Sequence, residues 1–153
     1  MVAGRFGEAF IAQLLAKRGI VDVVQANTEG IDLFAISKKN SFIGKNKIIG
    51  ISVKTRKNHN GIPLNYKQMQ RAAKTWNIVP WVGIVISNDP QFSDAYLLPL
   101  KSALMVSSLG NHKKGKDYFL SGSKLRNGNL ERYHLTTAIK EISTDPNRNK
   151  VES

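Results

Sequence analysis

A chain of 153 residues is long enough for one domain with its own core and too short for two of ordinary size. Its 23 lysines and arginines against 11 acids give a formal charge of +12, an excess that favours a polyanionic partner, nucleic acid first, over a neutral metabolite. The absence of cysteine excludes disulfides, thiolate zinc sites and cysteine nucleophiles, and leaves oxygen or histidine as the ligands of any metal.

From Gly4 to Arg18, Phe6, Phe10 and Leu14 recur at four-residue intervals and Ile11 and Leu15 widen the apolar arc, which predicts a buried helix stopped by Gly19. At 100° per residue Glu8 falls beside Leu15 at the edge of that arc, where its carboxylate faces either a cleft or solvent. The segment is interrupted by Glu8 and Gln13, has no cleavage-site pattern and falls short of the ~20 apolar residues of a membrane span, so we expect a cytoplasmic protein.

Val21 to Ala26, Ile31 to Ser37 and Ile48 to Thr55 are β-branched, apolar runs separated by the turn-like segments Asn27 to Gly30 and Lys38 to Lys47, the pattern of a three-stranded meander. In the third run Ile49, Ile51 and Val53 alternate with Gly50, Ser52 and Lys54. One face is therefore greasy, and the other is small and polar enough to take a ligand. A loop over Asn58 to Pro63 precedes a helix over Asn65 to Trp76 that turns Met69, Ala72, Ala73 and Trp76 inward. Trp81 to Ser87 reads as a central strand covered on both faces, and Asp94 to Leu98 as its neighbour after an Asn-Asp-Pro turn.

Leu100 to Leu109 is a weaker helix pattern, and Gly110 to Lys116 a basic exposed loop. Tyr118 to Leu120 and Tyr133 to Leu135 follow as short strands, then a helix from Thr136 to Ile142. We expect one domain over 1–144 and a polar, frayed tail over 145–153. The element order is that of an α/β sandwich: a central mixed β-sheet flanked by helices.

The chemistry concentrates at Asp32 and Lys54. Positions 52 and 54 of a strand point to one side, so the Lys54 ammonium can share a pocket with a carboxylate from the adjacent strand, and a lysine beside an acid and a phosphate is nuclease chemistry. Taken singly, Asp32 equally suits a turn cap after Gly30, and Lys54 a strand-end cation reaching water.

Gly7-Glu8 in the first helix, Gly30-Ile31-Asp32, Val53-Lys54 and the unit NYKQMQRAAKTWNIVPWVGIVIS, in that order, resemble the PD-(D/E)XK nuclease superfamily (restriction-endonuclease-like), and most closely its archaeal Holliday-junction-resolvase and Mrr-like branches. The resemblance covers Gly4 to Leu100. It implies a phosphodiesterase, an endonuclease acting on DNA and possessing a site for Mg2+ or Mn2+. Asp32, Glu8 and the Val53 carbonyl would be the metal ligands, and Lys54 would orient or activate the attacking water. Gln68 matches a polar helix position that sometimes meets the site. The related resolvases pair as homodimers, which is the basis for expecting one here.

Ser52 departs from the pattern, because the position two before the lysine carries an acid in that superfamily, and a hydroxyl is a poorer magnesium ligand than a carboxylate. Three readings stay open: Glu8 and Asp32 hold the ion with water filling the gap, Glu29 moves in, or catalysis is lost and a nucleic-acid-binding module remains. Arg56 and Lys57 beyond Lys54, Lys38, Lys39, Lys45 and Lys47 around the hairpin, and Lys113, Lys114 and Lys116 in one loop are the cations expected to track phosphates. They carry no base readout, and RNA stays open beside DNA. His59, His112 and His134 lack the spacing of a zinc site, and glycine-rich phosphate loops and a GxSxG elbow are absent.

Overall fold

The computed structural model describes residues 2–20, 22–36, 48–57, 61–89, 92–112, 115–121, 133 and 135. In chain order the elements are α1 (Val2–Lys17), β1 (Val23–Thr28), β2 (Ile31–Ile36), β3 (Ile48–Arg56), β4 (Ile62–Pro63), α2 (Tyr66–Trp76), β5 (Val79–Asp89), β6 (Phe92–Pro99), α3 (Leu100–Val106), β7 (Ser108–His112) and β8 (Gly115–Leu120). Five strands form a sheet in the order β1-β2-β3-β5-β6, with β3 and β5 parallel and the other pairs antiparallel. A smaller sheet has the order β4-β8-β7.

The period of two along the strands sorts the side chains into two cores. Trp81 and Val85 of β5, Ala95 and Leu97 of β6, and Ile49 and Ile51 of β3 join Ile11, Leu14 and Leu15 of α1 on one face. The residues between them, Val82, Ile84 and Ile86 with Tyr96 and Leu98, join Met69 of α2, Leu100 and Ala103 of α3, and Ile62 and Leu120 of the small sheet. A central strand covered on both faces needs no polar alternation, which is why β5 is apolar at nearly every position. Each fully buried Ile or Leu in these cores stabilises the fold by ~1.5–3 kcal/mol relative to exposure.

Helix α1 ends where the sequence places its stop. Gly19 takes φ +85, its N–H donates to the Ala16 carbonyl at 3.0 Å, and the Ile20 N–H reaches back to the Leu15 carbonyl at 2.9 Å. This paired closure satisfies two of the orphan carbonyls and tucks Ile20 into the core. Helix α2 closes similarly on Asn77, at φ 53, with Ile78 N–H on the Ala73 carbonyl at 3.0 Å.

The meander, α2 and the central strand agree with the sequence reading within a few residues. Several other expectations are corrected. Phe6 and Trp76 do not point inward: they are 42 % and 53 % exposed. Phe6 stacks on Phe10 near the start of α1, and Trp76, at the last turn of α2, lays its edge against Phe34 while its indole N–H donates to Thr28 Oγ1. At helix ends the apolar stripe runs past the edge of the sheet that would cover it. The third helix stops at Val106, and residues 108–112 and 115–120 are the arms of an antiparallel hairpin rather than a helix end and a loop. That hairpin is joined through Ile62↔Leu120 to β4, within a segment expected to be all loop. Tyr133 lies in a turn and Leu135 in helical backbone instead of a strand. The helix expected over 136–142 and the tail over 145–153 lie outside the described residues. No helix among the described residues is long and apolar enough to cross a membrane.

Candidate active site

The site forms where β2 and β3 part. Their ladder runs from Ile36↔Ile48 to Leu33↔Ile51. One residue beyond its end, the Asp32 carboxylate replaces a strand carbonyl and accepts the Val53 N–H through Oδ2 at 2.7 Å. The N–H and C=O of one residue leave an extended strand on the same edge, so the Val53 carbonyl also opens toward Asp32. Asp32 is aimed by the turn before it. Gly30 has φ +88, and a Cβ there would sit 2.8 Å from the Gln68 carbonyl of α2, so only glycine fits both the left-handed backbone and the close approach.

Glu8 arrives from α1. The helix comes down on β3 at Gly7, where a methyl would overlap the Thr55 hydroxyl and meet Val53 Cγ1 at 3.2 Å. That contact sets α1 close on β3, and the next residue, Glu8, is half-buried. Burial raises the Glu8 carboxyl above its ordinary value, the nearby Asp32 charge raises it further, and Arg5 opposes both. Glu8 also borders a hollow of ≈ 440 Å³ with Arg5, Gln25 and Leu33.

Lys54, on β3, is half-buried. Desolvation lowers its ammonium below the usual lysine range, Asp32 works in the opposite direction, Arg56 lowers it and Asp117 raises it. The Asp32 charge is therefore felt both by Glu8 and by Lys54.

Ser52 is 3 % exposed and lies opposite Val82 of β5. The small and polar face expected of β3 is closed at Gly50, which is met by Ile31 and Ile78, and at Ser52. Among the described residues no group of three His, Asp or Glu is placed to hold a metal ion. What Glu8, Asp32 and Val53 offer is two carboxylates and a peptide carbonyl, an all-oxygen set suited to a hard dication, with two like charges that a cation would relieve.

No family model and no curated protein matches this sequence. Among solved structures, the chain is similar to a Holliday junction resolvase of Archaeoglobus fulgidus, an archaeal hyperthermophile, with a TM-score of 0.53 and 15 % identity over 78 % of this chain and 84 % of that one. The chain has the restriction-endonuclease-like fold. In this fold the mixed five-stranded sheet carries Asp32 and Lys54 on neighbouring strands, and α1 carries Glu8.

Of the expected DNA-contacting cations, Arg56, Lys57 and Lys116 are among the described residues. Arg56 and Lys57 are exposed just past Lys54, and the Arg56 guanidinium donates to the Thr55 carbonyl at 2.8 Å. Lys116 is exposed on β8. Lys38, Lys39, Lys45, Lys47, Lys113 and Lys114, with His59 and His134, lie outside the described residues. Glu29, offered by the sequence as a substitute ligand, accepts a hydrogen bond from the Gln68 amide at 2.9 Å and borders a separate hollow with Arg71 and Trp76.

Sequence reasoning missed Asp117. It is 6 % exposed on β8, and its carboxylate accepts the N–H groups of Asn65 at 2.8 Å, Tyr66 at 3.4 Å and Tyr118 at 2.8 Å. Asn65 has left-handed backbone and no side-chain cap of its own, so Asp117 caps α2 from another sheet. A lone acid entering the apolar run Tyr118-Phe119-Leu120 was the available signal; its partners at the start of α2, Asn65 and Tyr66, lie some fifty residues away and could not be read from it.

Proposed function

We propose that this protein is a metal-dependent DNA endonuclease that hydrolyses phosphodiester bonds, acting on branched DNA in the manner of a Holliday junction resolvase. The observation that carries the reading is the Asp32 carboxylate, bound to the Val53 N–H at the parting of β2 and β3 with Glu8 and Lys54 in its electrostatic reach. Likeness to a solved resolvase at the level of fold supports the substrate class.

Asp32, Glu8 and the Val53 carbonyl would hold Mg2+ or Mn2+, which when bound supplies Lewis acidity toward a phosphate oxygen and a lowered pKa for water. The protein's own contributions are distinct. The Val53 N–H fixes Oδ2 of Asp32, and Oδ1 would then be the ligating atom. Lys54, whose ammonium is disfavoured by desolvation and favoured by Asp32, would set a positive group where negative charge grows on the phosphate. Arg56, Lys57 and Lys116 hold the backbone of the strand without reading bases. Symmetric cutting of two strands would require a homodimer, and the reading places the enzyme in the cytoplasm.

A second reading, a binding protein without catalysis, is favoured by one observation: buried Ser52 stands where the superfamily has a second acid. Incubation of purified protein with labelled junction and duplex DNA in Mg2+ or Mn2+ separates the two. The nuclease reading expects cleavage that is abolished in Asp32→Ala and Lys54→Ala while binding persists. Binding without cleavage by the unaltered protein in either metal establishes the second reading, and equal cutting by both variants identifies a contaminant.

A further inference from the structure

We propose that the hollow between the first turns of α2 and the β7–β8 hairpin is a separate phosphate-binding subsite, which takes the DNA backbone beyond the point of cleavage and so fixes the strand's path across the protein. The inference rests on the nuclease reading and extends it to residues outside the Asp32–Lys54 site.

The hollow measures ≈ 350 Å³ and is bordered by Lys67 and Arg71 of α2 and by His112 and Lys116 of the hairpin. Lys67 and Arg71 are four residues apart on one helix and so lie on the same side of it. Lys67, Arg71, His112 and Lys116 are all exposed, so their charged or polar ends are free to meet a ligand rather than filling the core. The acid among the lining residues, Asp117, is buried and committed to three backbone N–H groups. It holds the hairpin to the start of α2 and thereby sets the two cationic walls facing each other. Gln68, which also borders the hollow, brings its backbone carbonyl so close to Gly30 that a Cβ there would sit 2.8 Å from it, and Gly30 is two residues before Asp32, so the hollow lies next to the candidate active site.

The chemistry of this lining selects a phosphodiester backbone. Three obligate cations and a histidine around an open hollow make a poor seat for a neutral or cationic ligand. The backbone N–H groups at the start of α2 are already taken by Asp117, so binding falls to long side chains that follow a chain of phosphates instead of gripping one in a fixed nest. Each phosphate neutralised on duplex DNA adds about 0.9 to the slope of log affinity against log salt.

The test is the affinity of the full-length protein for a fluorescent four-way DNA junction, titrated by anisotropy from 50 to 300 mM salt. Lys67→Ala/Arg71→Ala/Lys116→Ala is compared with Lys17→Ala/Lys74→Ala/Lys101→Ala, which removes the same charge from exposed positions elsewhere. All six side chains are exposed, and thermal melting verifies that both variants fold. The subsite predicts a slope reduced by about 2–3 and at least a tenfold loss of affinity at 100 mM salt in the first variant, with the control staying within about threefold of the unaltered protein. Equal losses in both variants, or an unchanged slope in the first, overturn the subsite while leaving the nuclease reading intact. If the unaltered protein binds structured RNA but not the junction, the DNA reading fails and the subsite as proposed fails with it.

Discussion

Gly7→Ala is the substitution that most sharply tests how the fold delivers Glu8. In the interior of a helix this change ordinarily stabilises by ~1 kcal/mol. Here the new methyl would overlap Thr55 Oγ1 and press on Val53 Cγ1 and Thr55 Cβ, at 3.2 and 3.3 Å. Thr55 is β-branched and on a strand paired through Val85 to β5, so it has little room to yield. Overpacking of this kind costs ~1–3 kcal/mol, which outweighs the propensity gain and leaves a net loss of ~0–2 kcal/mol. The larger effect is on activity. If α1 lifts by about 1 Å, Glu8 moves with it, and a displacement of that size in a catalytic group costs on the order of 100-fold in rate. Urea denaturation and DNA cleavage measured on the same preparations should show a modest loss of stability beside a far larger loss of cutting. Thr55→Ala, which removes the obstructing hydroxyl, should restore both in the double variant with a coupling of ~1–2 kcal/mol. The Thr55 hydroxyl has no hydrogen-bond partner among the described residues, so the single Thr55→Ala variant should lose little. A Gly7→Ala protein that gains ~1 kcal/mol and cuts at the unaltered rate would refute the close approach of α1 to β3 and the placement of Glu8 that follows from it.

Three further outcomes are expected. Asp117→Ala removes a charged cap from three backbone N–H groups and should cost ~2–3 kcal/mol, lowering Tm by roughly 5–10 °C, with Asp117→Asn intermediate; a Tm within 1 °C would show that α2 does not depend on this carboxylate. Ser52→Glu places a carboxylate in a nearly closed position, so without metal it should lower Tm by several degrees, and Mn2+ should raise its Tm more than that of the unaltered protein; an equal response to Mn2+ in both proteins would place residue 52 outside the ligand set. For Glu8 the folded-state pKa is raised, so its ionisation opposes folding as pH climbs through and above that pKa. Metal-free Glu8→Gln should therefore melt slightly higher than the unaltered protein at pH 7, and the advantage should vanish near pH 4 and shrink with salt. A lower Tm at pH 7 would mean that Glu8 is a stabilising residue and not a strained ligand.

The sequence discloses those parts of the fold whose physics is local. The alternation of Ile49, Ile51 and Val53 with Gly50, Ser52 and Lys54 is enough to define β3, and the unbroken apolar run of β5 marks a strand buried on both faces. The β7–β8 hairpin escapes because its strands are exposed, and the segment SLGNHKKGK shows neither apolar alternation nor β-branched residues. Trp76 and Phe6 were misjudged because periodicity describes the helix and not the edge of the sheet it lies on. At the site, residue type and order nominate Asp32, Lys54 and Glu8 as candidates. The Asp32 hydrogen bond to the Val53 N–H, the seat of Gly7 on Thr55 and the cap provided by Asp117 arise from contacts between distant segments, and no local pattern encodes them.

The proposed nuclease depends on a dication bound at the end of the β2–β3 ladder. Crystals soaked in manganese and measured for anomalous scattering test it most directly. The account predicts a single strong peak bounded by the carboxylates of Glu8 and Asp32 and the carbonyl of Val53, with the Lys54 ammonium alongside; a structure with no peak there, or with Lys54 turned away from Asp32 into solvent, would contradict it.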